Sequence, residues 1–227
     1  MIPVTLAVLL PTRGRPQNFE RFMRAFEATA QDAHVFVRLD YDDPTDYDEF
    51  LNYYHQHITV VHGSRIGFGA SLNEIAVRAE REGYSHLGMF GDDVVPETPG
   101  WDVRLVEALG DRLGVSYGDD GLRDKHAPDL PTHYVTQTEV YRRLGYLSPP
   151  GIRHLFLDNV ARDIGRHLKN FVYVPVKIPH LHPWTVGEHV HDQTYAEGGR
   201  NADIRKKDRQ AYITWSYSKD WKRRLRG

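Results

Sequence analysis

An apolar run ends in two adjacent carboxylates, Asp92 and Asp93, within MFGDDVVP at 89–96. Hard divalent cations prefer carboxylate oxygens and bridge them to phosphate, so a strand that stops at Asp-Asp can present Mg²⁺ or Mn²⁺ to a diphosphate. A surface turn is the plain alternative, because Asp is common in turns. Apolar chain on both sides of the pair, HLGMF before it and VVPETPGW after it, favours buried surroundings. Arg13 and Arg15 in PTRGRP follow the first apolar run and precede a helical pattern. Guanidinium groups clamp phosphate or stack on a base, and helix N-termini favour anions; a solubilising basic loop fits these residues equally well. Asp40 and Asp42 in DYDDP can accept hydrogen bonds from a ribose or a base N–H, as the acid of dinucleotide folds does. The stretch HLHPWTVGEHVH, 180–191, holds four histidines in two H-x-H pairs. Imidazole is a common metal ligand, so one of the four is expected to join Asp93 across a cleft, and the others to be ordinary hydrogen-bonding residues. Asp158 in HLFLDN is either a helix N-cap or a base facing the cleft, and the two roles are compatible.

These residues need a scaffold that brings strand ends together. Val4 to Leu10 reads as a buried parallel strand closed by Pro11. A helix over 17–30 follows, with Phe19, Phe22 and Phe26 on one face. Then come a strand at His34–Leu39, a polar helix at 46–56, a strand at Ile58–Val61 and a glycine-bearing loop at 63–69. Ser71 is expected to cap the next helix, whose apolar positions are Leu72, Ile75, Ala76 and Ala79. A strand at 85–90 and a helix at 101–109 complete the regular part. The alternation predicts a single α/β domain, Rossmann-like, with a mostly parallel central sheet flanked by helices. Ligands bind such sheets beyond the carboxyl ends of the strands, where PTRGRP, DYDDP, SRIGFG and GDD all fall. GFGASLN matches neither G-x-G-x-x-G nor a P-loop, which weakens a dinucleotide oxidoreductase or kinase. Residues 117–131, rich in Gly, Asp and Pro, read as a loop long enough to be a functional or mobile segment. Helices are expected near 137–144 and at 158–168, the latter with Val160, Ile164 and Leu168 inward. Phe171–Ile178 contains Pro175 and reads as an edge strand.

With 227 residues, the chain can build one sizeable domain. Its 40% hydrophobic and 26% charged residues are those of a folded protein, not a disordered one. No apolar run approaches the roughly 20 residues that span a bilayer, and the first run lacks the flanks of a signal peptide. The absence of cysteine excludes disulfides and thiolate metal sites, and fits the reducing cytoplasm, the expected compartment. Residues 204–227 hold nine Lys/Arg and two Asp, a net +7 against −2 for the whole chain, which leaves −9 on the remainder. Such a basic helical tail either folds back on the acidic body at 1–203 or takes an anionic partner, nucleic acid included.

The order of motifs resembles the GT-A superfamily of nucleotide-sugar-dependent glycosyltransferases, particularly small bacterial and phage members. PTRGRP, LDYDDP, RIGFGASLNE, MFGDDVVPETPGW, LFLDN and IPHLHP carry the resemblance in that order, across about residues 4–195. It implies a transferase that moves a sugar from a nucleoside-diphosphate donor, a UDP-sugar first of all, to an acceptor hydroxyl. Mn²⁺ or Mg²⁺ is the implied cofactor. GDD stands where the family carries D-x-D, so Asp93 is implied as the metal-binding acid and Asp92 as its helper at ribose or metal. Gly91 replaces the usual first acid. Thr12, Arg13, Arg15, Asp40 and Asp42 are implied as base, ribose and diphosphate contacts, and Arg65 and Asn73 as nucleotide or donor-sugar contacts. Asp158 stands at the position of the inverting base, and His182 or else His180 at that of the histidine completing the metal site. Trp101, Tyr134 and Trp184 are candidates to line the acceptor site, aromatic faces suiting sugars and nucleobases alike. A nucleotidyltransferase and a non-catalytic nucleic-acid or carbohydrate-binding module are the rival readings.

Overall fold

The computed structural model describes residues 5–122, 129–181 and 201–226. Strand β1 (Leu6–Pro11) leads into helix α1 (Pro16–Thr29), β2 (His34–Asp40), α2 (Asp48–Tyr53), β3 (Ile58–Gly63), α3 (Phe68–Arg81), β4 (His86–Met89) and α4 (Trp101–Glu107). There follow β5 (Val115–Asp119), β6 (Tyr134–Gln137), α5 (Thr138–Leu144), α6 (Leu157–His167) and β7 (Phe171–Lys177). Helices α7 (Ala202–Tyr217) and α8 (Asp220–Leu225) close the described chain. The described strands form one seven-stranded sheet in the order β3-β2-β1-β4-β6-β5-β7. Strands β3, β2, β1 and β4 run parallel, β6 is antiparallel to both neighbours, and β5 pairs parallel with β7. The α/β class and the mostly parallel sheet agree with the sequence expectation.

Two apolar layers cover the sheet. On one face Phe19, Phe22 and Phe26 of α1 pack with Trp101 and Leu105 of α4 against Val8, Leu10 and Val37. On the other, Leu72, Ile75 and Ala76 of α3 meet Val160 and Ile164 of α6. Trp215, Trp221 and Leu225 of the basic C-terminal segment join this second layer, all less than a tenth exposed. Within this segment Trp215 and Trp221 thus face inward, while Tyr217 and the cations Arg205, Lys206, Lys207 and Arg209 are exposed. Edge placement of β7 accommodates Pro175, which has no N–H to give to a neighbour.

Three local expectations change. Ser71 is a buried residue inside α3, not its cap; the helix begins four residues after Ser64, with Gly67 at its N-cap in the positive-φ region that favours glycine. Tyr117–Asp119 belongs to β5 rather than to a loop, and residues 123–128 lie outside the described chain. Asp158 lies within the first turn of α6; the N-cap is Phe156, with φ +70°.

Candidate active site

Register brings the motifs to one rim. β1 is flanked by β2 and β4, with Pro11 opposite Arg38 and Leu9 opposite Met89. The loops that leave these strands are therefore neighbours, and their polar residues meet. Thr12 donates its hydroxyl to Asp92 Oδ2 at 2.7 Å, and Arg15 Nη1 donates to Asp92 Oδ1 at 3.0 Å. The same Arg15 nitrogen lies 3.6 Å from Asp93 Oδ2. Beyond β7, residues 178–181 run antiparallel to 93–95: Leu181 N–H donates to Asp93 O at 2.7 Å, and Val94 bridges His180. That pairing sets His180 Nε2 3.3 Å from Asp93 Oδ1. Apolar chain around Asp-Asp thus ends not at water but at a guanidinium on one side and an imidazole on the other.

Burial sets the charge states. Asp92 is 5% exposed, and burial pushes its pKa up to about 6 although Arg15 pulls it down. Burial disfavours the imidazolium of His180, but Asp93 and then Asp120 outweigh that, and its pKa is raised. Asp158 is pushed up by burial, opposed by the N–H of Asn159 and by Arg162, and it feels the charge of His180. A Cβ at Gly91 would stand 2.5 Å from Asp93 Oδ1, the oxygen that faces His180, so a larger residue there needs that carboxylate to shift. An acid in the D-x-D first position would displace the second acid.

The other sequence-derived residues divide sharply. Arg13 Nη1 spans the strand ends, bonding Asp40 Oδ2 at 3.2 Å and Asp42 Oδ1 at 2.7 Å. Asp40 also pairs with Arg38, a buried arginine on β2 that sequence reasoning passed over, which in turn bonds Glu74 at 3.0 Å. Arg65 is exposed in the loop before α3. Asn73 is engaged by the chain itself. Its Oδ1 accepts the N–H groups of Leu147 and Ser148 at 2.8 and 2.9 Å, and its Nδ2 donates to Ser148 O at 2.8 Å, so both ends of the amide hold the 147–148 backbone. Trp101 does not line an acceptor site: it is fully buried, with its ring against Phe26 and Phe90. Tyr134 is 3% exposed beneath Asp158 and offers no free face either, its phenol pushed up by burial and by that carboxylate. His182 and Trp184 lie outside the described residues.

Two residues inside the quoted stretches HLFLDN and DYDDP were not singled out from the sequence. His154 sits near enough to Arg15 and Asp93 to feel both charges, and burial lowers its pKa, which favours neutral imidazole. Tyr41, 73% exposed, stacks on His62 at the ends of β2 and β3. The first was hidden because a lone loop histidine has no periodicity, the second because exposed aromatic residues are common.

Asp93 and His180 could hold a divalent cation, an oxygen and a nitrogen ligand brought side by side by the bridge between Val94 and His180. No third His, Cys, Asp or Glu completes a cluster with them among the described residues. Two protein ligands fit a cation whose remaining positions are filled by substrate phosphate and water.

No family model matches the sequence, and no curated protein matches it. Solved structures match the fold, and what they share with this chain is a GT-A-like α/β architecture. Glucosyl-3-phosphoglycerate synthase from Mycobacterium tuberculosis, solved with Mn²⁺, UDP and glucosyl-3-phosphoglycerate, superposes with a TM-score of 0.62 at 14% identity, over 93% of this chain and 80% of that one. S. aureus TarS 1-349 in complex with UDP gives 0.59 at 11% identity, over 77% of this chain. The mannosyltransferase PcManGT from Pyrobaculum calidifontis, solved with GDP-Man and Mn²⁺, gives 0.55 at 16% identity, over 75% of this chain and 54% of that one. The chain spans 59% of the TarS chain it matches. Among the described residues no helix is long and apolar enough to cross a membrane.

Proposed function

We propose that this chain is a glycosyltransferase that moves a sugar from a nucleoside-diphosphate donor, a UDP-sugar first of all, to an acceptor hydroxyl with inversion. The observation that carries this reading is the contact chain Asp92–Arg15–Asp93–His180 at the carboxyl rim, with Asp158 close enough to feel the charge of His180. Neighbours in fold that were solved with UDP or GDP-Man support the donor class. Asp93 and His180 would hold Mn²⁺ or Mg²⁺, joined by His182 if that residue reaches them. When bound, the cation supplies Lewis-acid stabilisation of the leaving diphosphate. The chain's own groups do the rest. Arg15 holds its positive charge beside the pair and can receive phosphate oxygens. Arg13 fixes Asp40 and Asp42 where ribose or base would lie. Asp158 takes the proton of the acceptor hydroxyl as that oxygen bonds the anomeric carbon. The bond from that carbon to the diphosphate oxygen breaks, and its electron pair leaves with the nucleoside diphosphate. One displacement inverts the centre.

Calorimetry with UDP-, GDP- and dTDP-sugars, with and without Mn²⁺, tests the proposal. One donor should bind in a metal-dependent way and be hydrolysed slowly without acceptor. Nucleotidyl transfer from a nucleoside triphosphate would instead favour the rival enzyme, and binding of none would favour a non-catalytic module.

For the acceptor, one observation favours an anionic polymer such as nucleic acid. Arg205, Lys206, Lys207 and Arg209 are exposed on α7 and form no ion pair with described residues. Four cations that neutralise phosphates should give a plot of log affinity against log salt with a slope of about −3 to −4. Exchanging all four for Gln should flatten it. Negligible DNA affinity in both forms would remove nucleic acid from consideration.

A further inference from the structure

The loop that delivers Asp158 is held from outside the sheet. On one side Asn73 grips 147–148. On the other, Asp208 of α7 gathers three successive backbone donors: Arg153 N–H to Oδ1 at 2.9 Å, His154 N–H to Oδ2 at 2.9 Å and Leu155 N–H to Oδ2 at 2.8 Å. Asp208 is fully buried. One turn further along α7, Tyr212 stacks on Phe156, with ring centroids 5.5 Å apart and planes at 10°. Phe156 has φ +70°, a left-handed conformation that a bulky side chain adopts only when its surroundings impose it. Two residues later comes Asp158. A buried carboxylate can satisfy three N–H groups because it carries only acceptors; a neutral amide cannot, since its nitrogen would face a donor.

We infer that Asp208 is a positioning residue for sugar transfer: the C-terminal helix α7 fixes the 153–156 loop and thereby aims the Asp158 carboxylate and the His154 imidazole into the cleft. This rests on the reading of Asp158 as the transfer base. The segment with the strongest positive charge in the chain thus has its one fully buried acid committed to the active-site loop, not to its own cations. Loss of the clamp leaves Asp93, His180 and Arg15 in place, because none of them is on the loop. Chemistry should suffer and donor binding should not.

The full chain carrying Asp208→Asn, together with Asp208→Glu, Tyr212→Leu and Asp158→Asn, tests this by steady-state kinetics, donor calorimetry and thermal melting. Misplacing a catalytic group by about 1 Å can cost about 10²-fold. Asp208→Asn should therefore lower kcat about 10- to 100-fold, with donor Kd within about twofold of the parent. Asp208→Glu should recover part of the loss. Should Asp208→Asn melt below the assay temperature, Tyr212→Leu carries the test: it leaves the carboxylate in place, frees Phe156, and should lower kcat without changing donor Kd. A folded Asp208→Asn or Tyr212→Leu with parental kcat, or with kcat and donor affinity falling together, overturns the inference. If Asp158→Asn is itself fully active, the reading of the base has failed; if it is inactive while the clamp variants keep parental kcat, only the positioning role has.

Discussion

Asp158→Asn should lower sugar transfer about 10²–10⁴-fold, the usual contribution of a positioned general base, and leave donor affinity unchanged. The carboxylate lies in the first turn of α6, near the Asp93–His180 pair but outside hydrogen-bonding contact with it. A carboxamide keeps the shape and the bond from the Asn159 N–H, yet cannot accept the acceptor's proton. The pH dependence follows in sign. Burial raises the Asp158 pKa against the N–H of Asn159, the Arg162 guanidinium of α6 and the imidazole of His180 beyond β7, with Tyr134 of β6 packed beside it. A base with a raised pKa stays protonated to higher pH. The rate should therefore fall on acidification in a limb above the ordinary Asp value of about 3.9. The acid limb of the kcat profile checks this, and it should vanish in the residual activity of Asp158→Asn. Parental activity in that variant would mean a front-face mechanism with no enzyme base.

Asp93→Asn should abolish the divalent requirement together with most activity, and weaken Mn²⁺ binding in the presence of UDP by at least about 10²-fold. Asp93 offers an anionic oxygen to His180 and lies 3.6 Å from Arg15, so its charge is the part of the site a cation would use. Asp92→Asn should do much less to metal affinity. Both Asp92 oxygens are already engaged, by Thr12 and Arg15, and the residue holds Arg15 in place rather than facing outward. The two neighbours thus separate by variant. Manganese titration calorimetry with UDP present measures each, and equal losses in both would show that the pair acts only as a structural anchor for Arg15.

The regular half of the fold was legible because its strands are mostly apolar and its helices repeat at 3.6 residues; Phe19, Phe22 and Phe26 fell on the core face as their spacing required. β5 and β6 escaped notice because they are short, five and four residues long, and carry Gly, Ser, Thr and Gln. Asp92, Asp93 and Arg15 were legible as strand-end chemistry, and the structure brings them together with His180. The backbone contact of Asn73 was not legible, because a polar residue after a glycine-rich loop looks the same whether it binds ligand or backbone; here the chain returns 74 residues later to use it. Trp101 misled because aromatic residues serve cores and binding faces alike. Asp208 left a trace that charge counting obscured: with Ile204, Ala211, Tyr212 and Trp215 it lies on the inner stripe of α7, an acid where only apolar residues are expected.

A crystal structure of the chain grown with UDP and Mn²⁺, with manganese placed by anomalous scattering, addresses the site most directly. Metal bonded to Asp93 and an imidazole of the 180–182 stretch, with diphosphate oxygens on the metal and on Arg15, is the expected result. Manganese and diphosphate bound elsewhere on the molecule, with the Arg15 bridge between Asp92 and Asp93 unchanged, would contradict it.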